Sequence, residues 1–352
     1  MTLISIVIPC RNEEKFIDKC LDSVAAFTLP PNVDFEAFVV DGASEDRTVE
    51  LVEVFARRNT RFRLLRNPRR IQSTALNLAV RVARGRYIMR LDAHTTYPSD
   101  YLSRCYETAE RTAADNVGGV CITAVNGDSY QAQVVQALTT HRFGVGNSGF
   151  RTGAVEGPRD TVPFGFFKRE IFTRLGGFDE RLVRCQDYEF NRRIVARGGR
   201  IWLNPAIQCT YFNQPYLWPF LRKQTLMEAP YNPYMWYLAP YSFALRHAIT
   251  GLFAVGVLLG AALMLWFSWV RWIYLPIVSL YAVLAVLSAL QQARRFSQPR
   301  HALMLPFCFF AYHFLHGLGV VTGIVRLLTR TAPVQRAPEP WSGENVRKIG
   351  VK

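Results

Sequence analysis

From Leu3 to about residue 95, short apolar runs alternate with segments whose apolar positions recur at helical spacing. Leu3 to Ile8 predicts a strand stopped by Pro9, and Glu14 to Ala26 a helix with Phe16, Ile17, Leu21 and Val24 on one face. Phe35 to Val40 predicts the next strand. Ser44 reads as the N-cap of a helix over Arg47 to Arg58. Arg61 to Leu65 is a third strand, Ser73 to Arg84 a third helix closed by Gly85, and Tyr87 to Leu91 a fourth strand. Such alternation predicts an α/β fold with a parallel sheet wrapped by helices. Ligands of such sheets bind beyond the carboxyl ends of the strands, so Pro9 to Glu13, Asp41 to Ser44 and Asp92 to His94 should meet in one crevice.

The middle of the chain is less regular. Val117 to Val125 reads as a strand, Asn126-Gly127-Asp128 as a turn, and His141 to Pro163 as a glycine-rich mobile loop. Phe164 to Leu175 is apolar and ends at Gly176-Gly177, and Arg200 to Leu203 is a late strand. From Tyr211 the pattern changes. Pro215 to Phe220 and Tyr231 to Tyr237 are rich in aromatics and prolines, resembling an interfacial belt, with a core-packing segment as the competing reading. Three apolar runs follow, Ala248 to Trp269, Trp272 to Leu290 and Ala302 to Val325, each near the roughly 20 residues that span a bilayer. The first two predict a hairpin turning at Val270-Arg271. Arg294, Arg295 and Arg300 place the second loop on the cytoplasmic side, and the soluble domain with it. Three full spans would export the tail cations Arg326, Arg330, Arg336, Arg347 and Lys348. The third run, with His313, His316, Gly317 and Gly319, is therefore expected to be a re-entrant pair of short helices. The resulting division is 1–210, a 211–247 interface segment, 248–327 membrane helices and a 328–352 cytoplasmic tail.

Composition sharpens this only in part. The 352 residues carry a net charge of +15, spread along the chain, which suits anionic lipid headgroups and phosphorylated substrates. No recognition motif supports nucleic acid as a partner. Seven cysteines without CxxC spacing argue against a disulfide framework or a zinc site and fit a reducing compartment. The N-terminus shows no signal-peptide pattern.

Candidate chemistry lies at the strand ends. Asp92 and His94, at i and i+2, would point the same way along an extended segment and could hold a divalent cation, Mg²⁺ or Mn²⁺, beside a diphosphate. A surface Asp and His, or caps, are the bland alternative. Asp187, at a helix start in Gln186-Asp187-Tyr188-Glu189, is the candidate general base, with Glu189 as support or acceptor binding. A carboxylate favouring the helix N-terminus accounts for the same position. Asp41, Arg11 and Glu13 could flank a nucleotide, and Arg66 to Arg70 could reach phosphates. No Walker A motif, GxGxxG or Gly-x-Ser-x-Gly elbow is present.

These stretches resemble the family 2 inverting glycosyltransferases of GT-A fold. The likeness runs through Ser5 to Glu13, Val39 to Asp46, Ala75-Leu76-Asn77, Arg84 to Ile88, Leu91 to His94, Leu175 to Glu180 and Gln186 to Glu189. Asp-Ala-His, with Thr95 to Pro98, Lys223-Gln224 and Ser242 to His247, looks like the succinoglycan-type exopolysaccharide glucosyltransferases. The resemblance implies a sugar nucleotide, UDP-glucose, held by Pro9, Arg11, Glu13, Asp41, Arg70 and Asp92. It implies a metal at Asp92 and His94, and a base at Asp187. Gln186, Glu189, Lys223 and Gln224 are the candidates for acceptor binding or support. His94 stands where the family more often has Asp, and Gln186 where it usually has an acid. No Gln-x-x-Arg-Trp motif of processive synthases is present, so one sugar is expected to pass to a polyprenyl-diphosphate-linked saccharide at the bacterial inner membrane. The rivals are a polyprenyl-phosphate glycosyltransferase, a non-catalytic nucleotide-binding subunit and, last, a transporter.

Overall fold

The computed structural model describes residues 1–125, 127, 129–146 and 155–335. The expected turn at 126–128, much of the glycine-rich stretch (147–154) and the tail from 336 fall wholly or partly outside them. The described residues divide into two compact units, one from 1–122 and 155–211, the other from 123–146 and 212–335.

The first unit is built on the alternation read above. Strands β1 (Thr2–Cys10), β2 (Val33–Asp41), β3 (Phe62–Arg66) and β4 (Tyr87–Arg90) form a parallel sheet in the order β3-β2-β1-β4. Ile4, Ile6 and Ile8 and their alternates Ser5 and Val7 are all buried, as strands covered on both faces require. Helices α1 (Ile17–Ala25), α2 (Thr48–Arg58) and α3 (Gln72–Val82) make the crossovers. Helix α1 turns Ile17, Cys20, Leu21 and Val24 to the core at i, i+3, i+4, i+7. The sheet is mixed beyond β4. After β5 (Thr95–Thr96), α4 (Tyr101–Thr112) and β6 (Asn116–Ala124), the chain adds β7 (Gly157–Pro158), β8 (Phe166–Lys168) and β9 (Ile201–Phe212). These continue the order β4-β8-β6-β9-β5, with every pairing whose register is defined antiparallel. Between β8 and β9 lie α7 (Glu170–Leu175) and α8 (Gln186–Ala196), numbered after two helices of the second unit.

Three local expectations change. Pro9 does not stop β1, because the ladder to β4 covers only Ile4–Val7 and asks nothing of the proline nitrogen. Ser44 does not cap α2. The Asp46 carboxylate accepts the Thr48 amide instead (3.0 Å), while Ser44 Oγ accepts from Asn12 N. Gly85 is not a C-cap, since α3 ends in extended backbone at Ala83. Gly85 is there for close approach: a Cβ would sit 2.5 Å from Ser5 N. Its amide donates to Ser5 Oγ, which donates to the buried Glu36, and Arg84 pairs with the same carboxylate.

The second unit contains α5 (Tyr130–Thr139), α6 (Arg142–Val145), α9 (Leu217–Lys223), a π-helical turn (Gln224–Glu228) and α10 (Tyr231–Leu238). After these come α11 (Leu245–Trp266), α12 (Ser268–Arg295) and α13 (Arg300–Leu328). The last three are long and apolar enough to cross a membrane. Many of their large side chains face outward, Trp272 being 84% exposed, while Leu305 and Phe309 are buried. The α11–α12 turn is the single extended residue Phe267, not Val270-Arg271, which lie inside α12. The third run is one continuous helix rather than a re-entrant pair. Its glycines do not break it. A Cβ at Gly317 would lie 2.0 Å from Thr250 O, at Gly319 2.2 Å from Thr225 O, and at Gly323 2.7 Å from Pro230 O. Small residues let backbones meet there, as in packed membrane helices. In the aromatic segment Phe220, Leu221, Tyr234 and Met235 are buried, and Tyr216, Trp218, Leu226 and Tyr237 exposed.

Candidate active site

The loops after β1 and β2 are clasped together. Asn12 N donates to Ser44 Oγ (2.9 Å) and Glu45 N to Asn12 Oδ1 (2.8 Å). Glu13 N donates to Thr48 Oγ1 (2.7 Å), and Gly42 N to Cys10 O (2.9 Å). Asn12 sits at φ 55°, a left-handed conformation that Asn tolerates better than most residues. Asn12→Ala should therefore cost about 1 kcal/mol in melting experiments through strain and the lost bond to Glu45, and weaken nucleotide binding several-fold. An unchanged nucleotide affinity would remove the clasp from the site. Buried Asp41 accepts Ser44 N at 3.2 Å and faces Arg66 Nη1 at 3.6 Å. Pro9 pairs in register with Val40 beside it. Arg11 is exposed along Gly42, and Arg70, also at positive φ, faces Glu45 at 3.7 Å. Pro9, Arg11, Asp41 and Arg70 thus rim one strand-end cradle. Burial first, then the Asp41 and Glu13 carboxylates, push the Cys10 thiol up, so no thiolate forms there near neutral pH.

Asp92 and His94 do not share the extended geometry expected of them, because β4 ends at Arg90 and the chain turns at 93–94. Asp92 Oδ1 accepts from Arg90 Nη2 (3.0 Å) and Gln72 Nε2 (3.3 Å). His94 instead lies with Nδ1 3.0 Å from Glu13 Oε1 and Nε2 3.2 Å from the Tyr211 hydroxyl. Glu13, expected beside the nucleotide, therefore orients the imidazole. Among the described residues no group of three or more His, Cys, Asp or Glu could hold a metal ion. The pair still suits a cation that takes its other ligands from phosphate and water. Asp92 Oδ2 accepts no hydrogen bond from the described residues, and its side chain remains 13% exposed. With Nδ1–H donated to Glu13, His94 Nε2 is the acceptor of the Tyr211 hydroxyl, so a cation bound at Nε2 would take that hydroxyl's place.

Arg90 was not among the expected site residues. Its guanidinium, 6% exposed, bridges Asp92 and Asp187, donating from Nη1 to Asp187 Oδ2 at 2.5 Å. Burial alone would lower its pKa. The Asp187 and Asp92 carboxylates overcome that and raise it, so the group is a permanent cation. An arginine in an otherwise apolar strand was the visible sign. Asp187 lies in the first turn of α8, its side chain 30% exposed. Gln186 Nε2 donates to Gln72 Oε1 (2.6 Å), closing a second path back to Asp92. Glu189 is held from within its own helix. It is buried and grips Arg193 through both oxygens, and Arg193 Nη1 donates to the Leu175 and Gly177 carbonyls. Asn77, noted only as part of a motif, bonds both the amide and carbonyl of Phe178 and the Glu180 carboxylate, fixing the loop before α8. Lys223 and Gln224 belong to the second unit. Lys223 Nζ lies 3.9 Å from Glu228 across the π-helical turn, which Gln224 opens.

This architecture is that of a GT-A-like mixed α/β domain. Residues 5–176 match the family model Glycosyl transferase family 2. The chain is 35% identical over 216 residues to the succinoglycan biosynthesis protein ExoA of Rhizobium meliloti, covering 61% of this chain and 64% of that one. It thus spans somewhat less than two thirds of that relative's length. It is 23% identical over 346 residues to the dolichyl N-acetyl-alpha-D-glucosaminyl phosphate 3-beta-D-2,3-diacetamido-2,3-dideoxy-beta-D-glucuronosyltransferase of Methanococcus voltae, covering 93% and 98%. Among solved structures it resembles the mannosyltransferase PcManGT of Pyrobaculum calidifontis, a complex with GDP-Man and Mn²⁺. The TM-score is 0.55 at 20% identity, with 92% and 86% covered, a likeness of fold.

Proposed function

We propose that the protein is a membrane-anchored inverting glycosyltransferase. It transfers one hexose from a sugar nucleotide, UDP-glucose by resemblance, to a polyprenyl-diphosphate-linked saccharide at the cytoplasmic face of the bacterial inner membrane. One observation carries the reading. A single buried guanidinium holds the donor-side carboxylate Asp92 and the acceptor-side carboxylate Asp187 together at the carboxyl ends of the strands. The name of the Methanococcus voltae relative, a transferase acting on a dolichyl-phosphate-linked sugar, supports a lipid-linked acceptor. The three long apolar helices support anchoring, and Arg294, Arg295 and Arg300 the cytoplasmic orientation.

Asp41 and the clasped loops bind the nucleotide. Asp187 accepts the proton of the acceptor hydroxyl as its oxygen bonds to the anomeric carbon. The bond from that carbon to the diphosphate oxygen breaks with its electron pair, and the nucleoside diphosphate departs from the opposite face, inverting the configuration. Asp92 and His94 would hold a divalent cation, whose chemistry there is neutralisation of the charge developing on the diphosphate.

The test is nucleoside-diphosphate release by purified protein across a panel of sugar nucleotides, with or without bacterial lipid extract, Mg²⁺, Mn²⁺ or chelator. The expected result is release from one donor, dependent on lipid extract and lost with chelator. Full activity in chelator would remove the cation from Asp92 and His94. Release from no donor, with nucleotide still bound, would favour a non-catalytic subunit.

A further inference from the structure

Asp92 and Asp187 are joined by two routes that together form a closed ring. The charged route is Asp92–Arg90–Asp187, at 3.0 and 2.5 Å. The neutral route is Asp92–Gln72–Gln186, at 3.3 and 2.6 Å, and it returns to Asp187 through the peptide bond. The ring draws on the end of β4, the first residue of α3 and the first turn of α8. Arg90 is almost fully buried, and its guanidinium lies over the Phe164 ring at 5.6 Å, so it is packed in place and does not reach a substrate. Its own amide donates to Gly165 O (2.9 Å), fixing the strand end beneath it. The neutral route also accounts for Gln186. An amide there donates to Gln72 Oε1, whereas the acid usual in the family would set a carboxylate against that oxygen.

Resting on the function proposed above, we propose that Arg90 and the Gln72–Gln186 bridge are positioning residues that couple the donor-side carboxylate to the base. Occupation of the donor site at Asp92 is thereby transmitted to the orientation of Asp187. Arg90 acts by holding two carboxylates in one geometry, not by touching the sugar. Lysine would not substitute well, since one ammonium lacks the planar fork that serves both oxygens at once.

The experiment measures transfer kinetics on the full-length protein together with Mn²⁺–UDP affinity by calorimetry. Arg90→Gln is expected to lower kcat about 100-fold, the order that a misplaced catalytic group costs. Mn²⁺–UDP affinity should hold or rise, because a cation facing the metal has gone. Arg90→Lys should recover about tenfold of the loss, as one charge returns without the fork. On an Asp187→Asn background Arg90→Gln should add little, because the two act as a unit. Three results would overturn the coupling: transfer within about threefold of wild type, affinity and kcat falling by the same factor, or additive effects in the double variant. Should Arg90→Gln lack a cooperative melt, Gln186→Glu decides: a kcat loss of about tenfold at unchanged nucleotide affinity supports the ring, and an unchanged kcat overturns it. Wild-type protein with no donor-dependent transfer would remove the proposed function itself. Wild-type transfer that Asp187→Asn abolishes and Arg90→Gln spares would remove only the coupling.

Discussion

Asp187→Asn is expected to abolish glycosyl transfer while leaving nucleotide binding intact. Asparagine keeps the shape of the side chain and one carbonyl oxygen for the Arg90 Nη1–H, which the native carboxylate accepts at 2.5 Å. Arg90 also keeps its second carboxylate, Asp92, at 3.0 Å, so the buried cation is not left without a counter-charge. What disappears is the ability to accept a proton from the attacking hydroxyl. General-base assistance contributes about 10² to 10⁴ in rate, and a loss of that order should appear in kcat. The cradle around Asp41 draws on different residues, Asn12, Ser44 and Arg66, so nucleotide affinity should stay within about twofold. Product formation and calorimetric nucleotide affinity, measured on the same preparation, separate the two. Transfer within about tenfold of wild type would show that Asp187 is not the base.

The parallel half of the domain was legible because its strands are buried on both faces and read as plain apolar runs between helices of clear period. The antiparallel half was not. Strands β7 and β8 are two and three residues long, too short for any periodicity, and β9 runs well beyond the four residues its apolar pattern suggested. Asp92 and Asp187 stood out as acids at the ends of apolar segments. Their link did not, because Arg90 and Asp187, 97 apart in sequence, meet only through the fold. Arg90 was available to reading: an arginine inside Tyr87-Ile88-Met89 and Leu91 must find counter-charge if the strand is buried. Alternation carried Asp92 and His94 onto one face only while β4 continued, and it stops at Arg90. Glycines misled twice for the same reason. Gly85 and Gly317 look like a cap and a break, yet both stand where another backbone passes within about a side chain's thickness, which only a folded partner reveals.

Gly119→Ala should be strongly destabilising although it leaves every candidate site residue unchanged. A methyl group there would lie 1.8 Å from Ile207 O and 2.5 Å from Ile207 Cβ. Neither atom is the tip of a flexible side chain that could swing away. Relief requires β6 and β9 to move apart in the middle of the sheet, where Cys121 and Cys209 already pack with their sulfurs 3.5 Å apart. Overpacking of a close-packed interior costs about 1–3 kcal/mol, and contact with backbone puts this position at the upper end. For a domain of this size that corresponds to a fall in Tm of about 6–12 °C. The effect should also reach the site. Strand β9 carries Tyr211, whose hydroxyl lies 3.2 Å from His94 Nε2, so displacement of β9 loosens the imidazole that Glu13 orients. Gly198→Ala is the control. Gly198 has a positive φ of 77° but open space around its Cβ position, so only backbone strain of about 1 kcal/mol should register. Thermal melts and Mn²⁺-dependent nucleotide binding of the two variants test the chain from strand contact to site. If Gly119→Ala melts no lower than Gly198→Ala, the β6–β9 approach is not the constraint its geometry indicates. A lowered Tm with unaltered Mn²⁺ dependence would show that the Tyr211 contact has no bearing on His94 as a ligand.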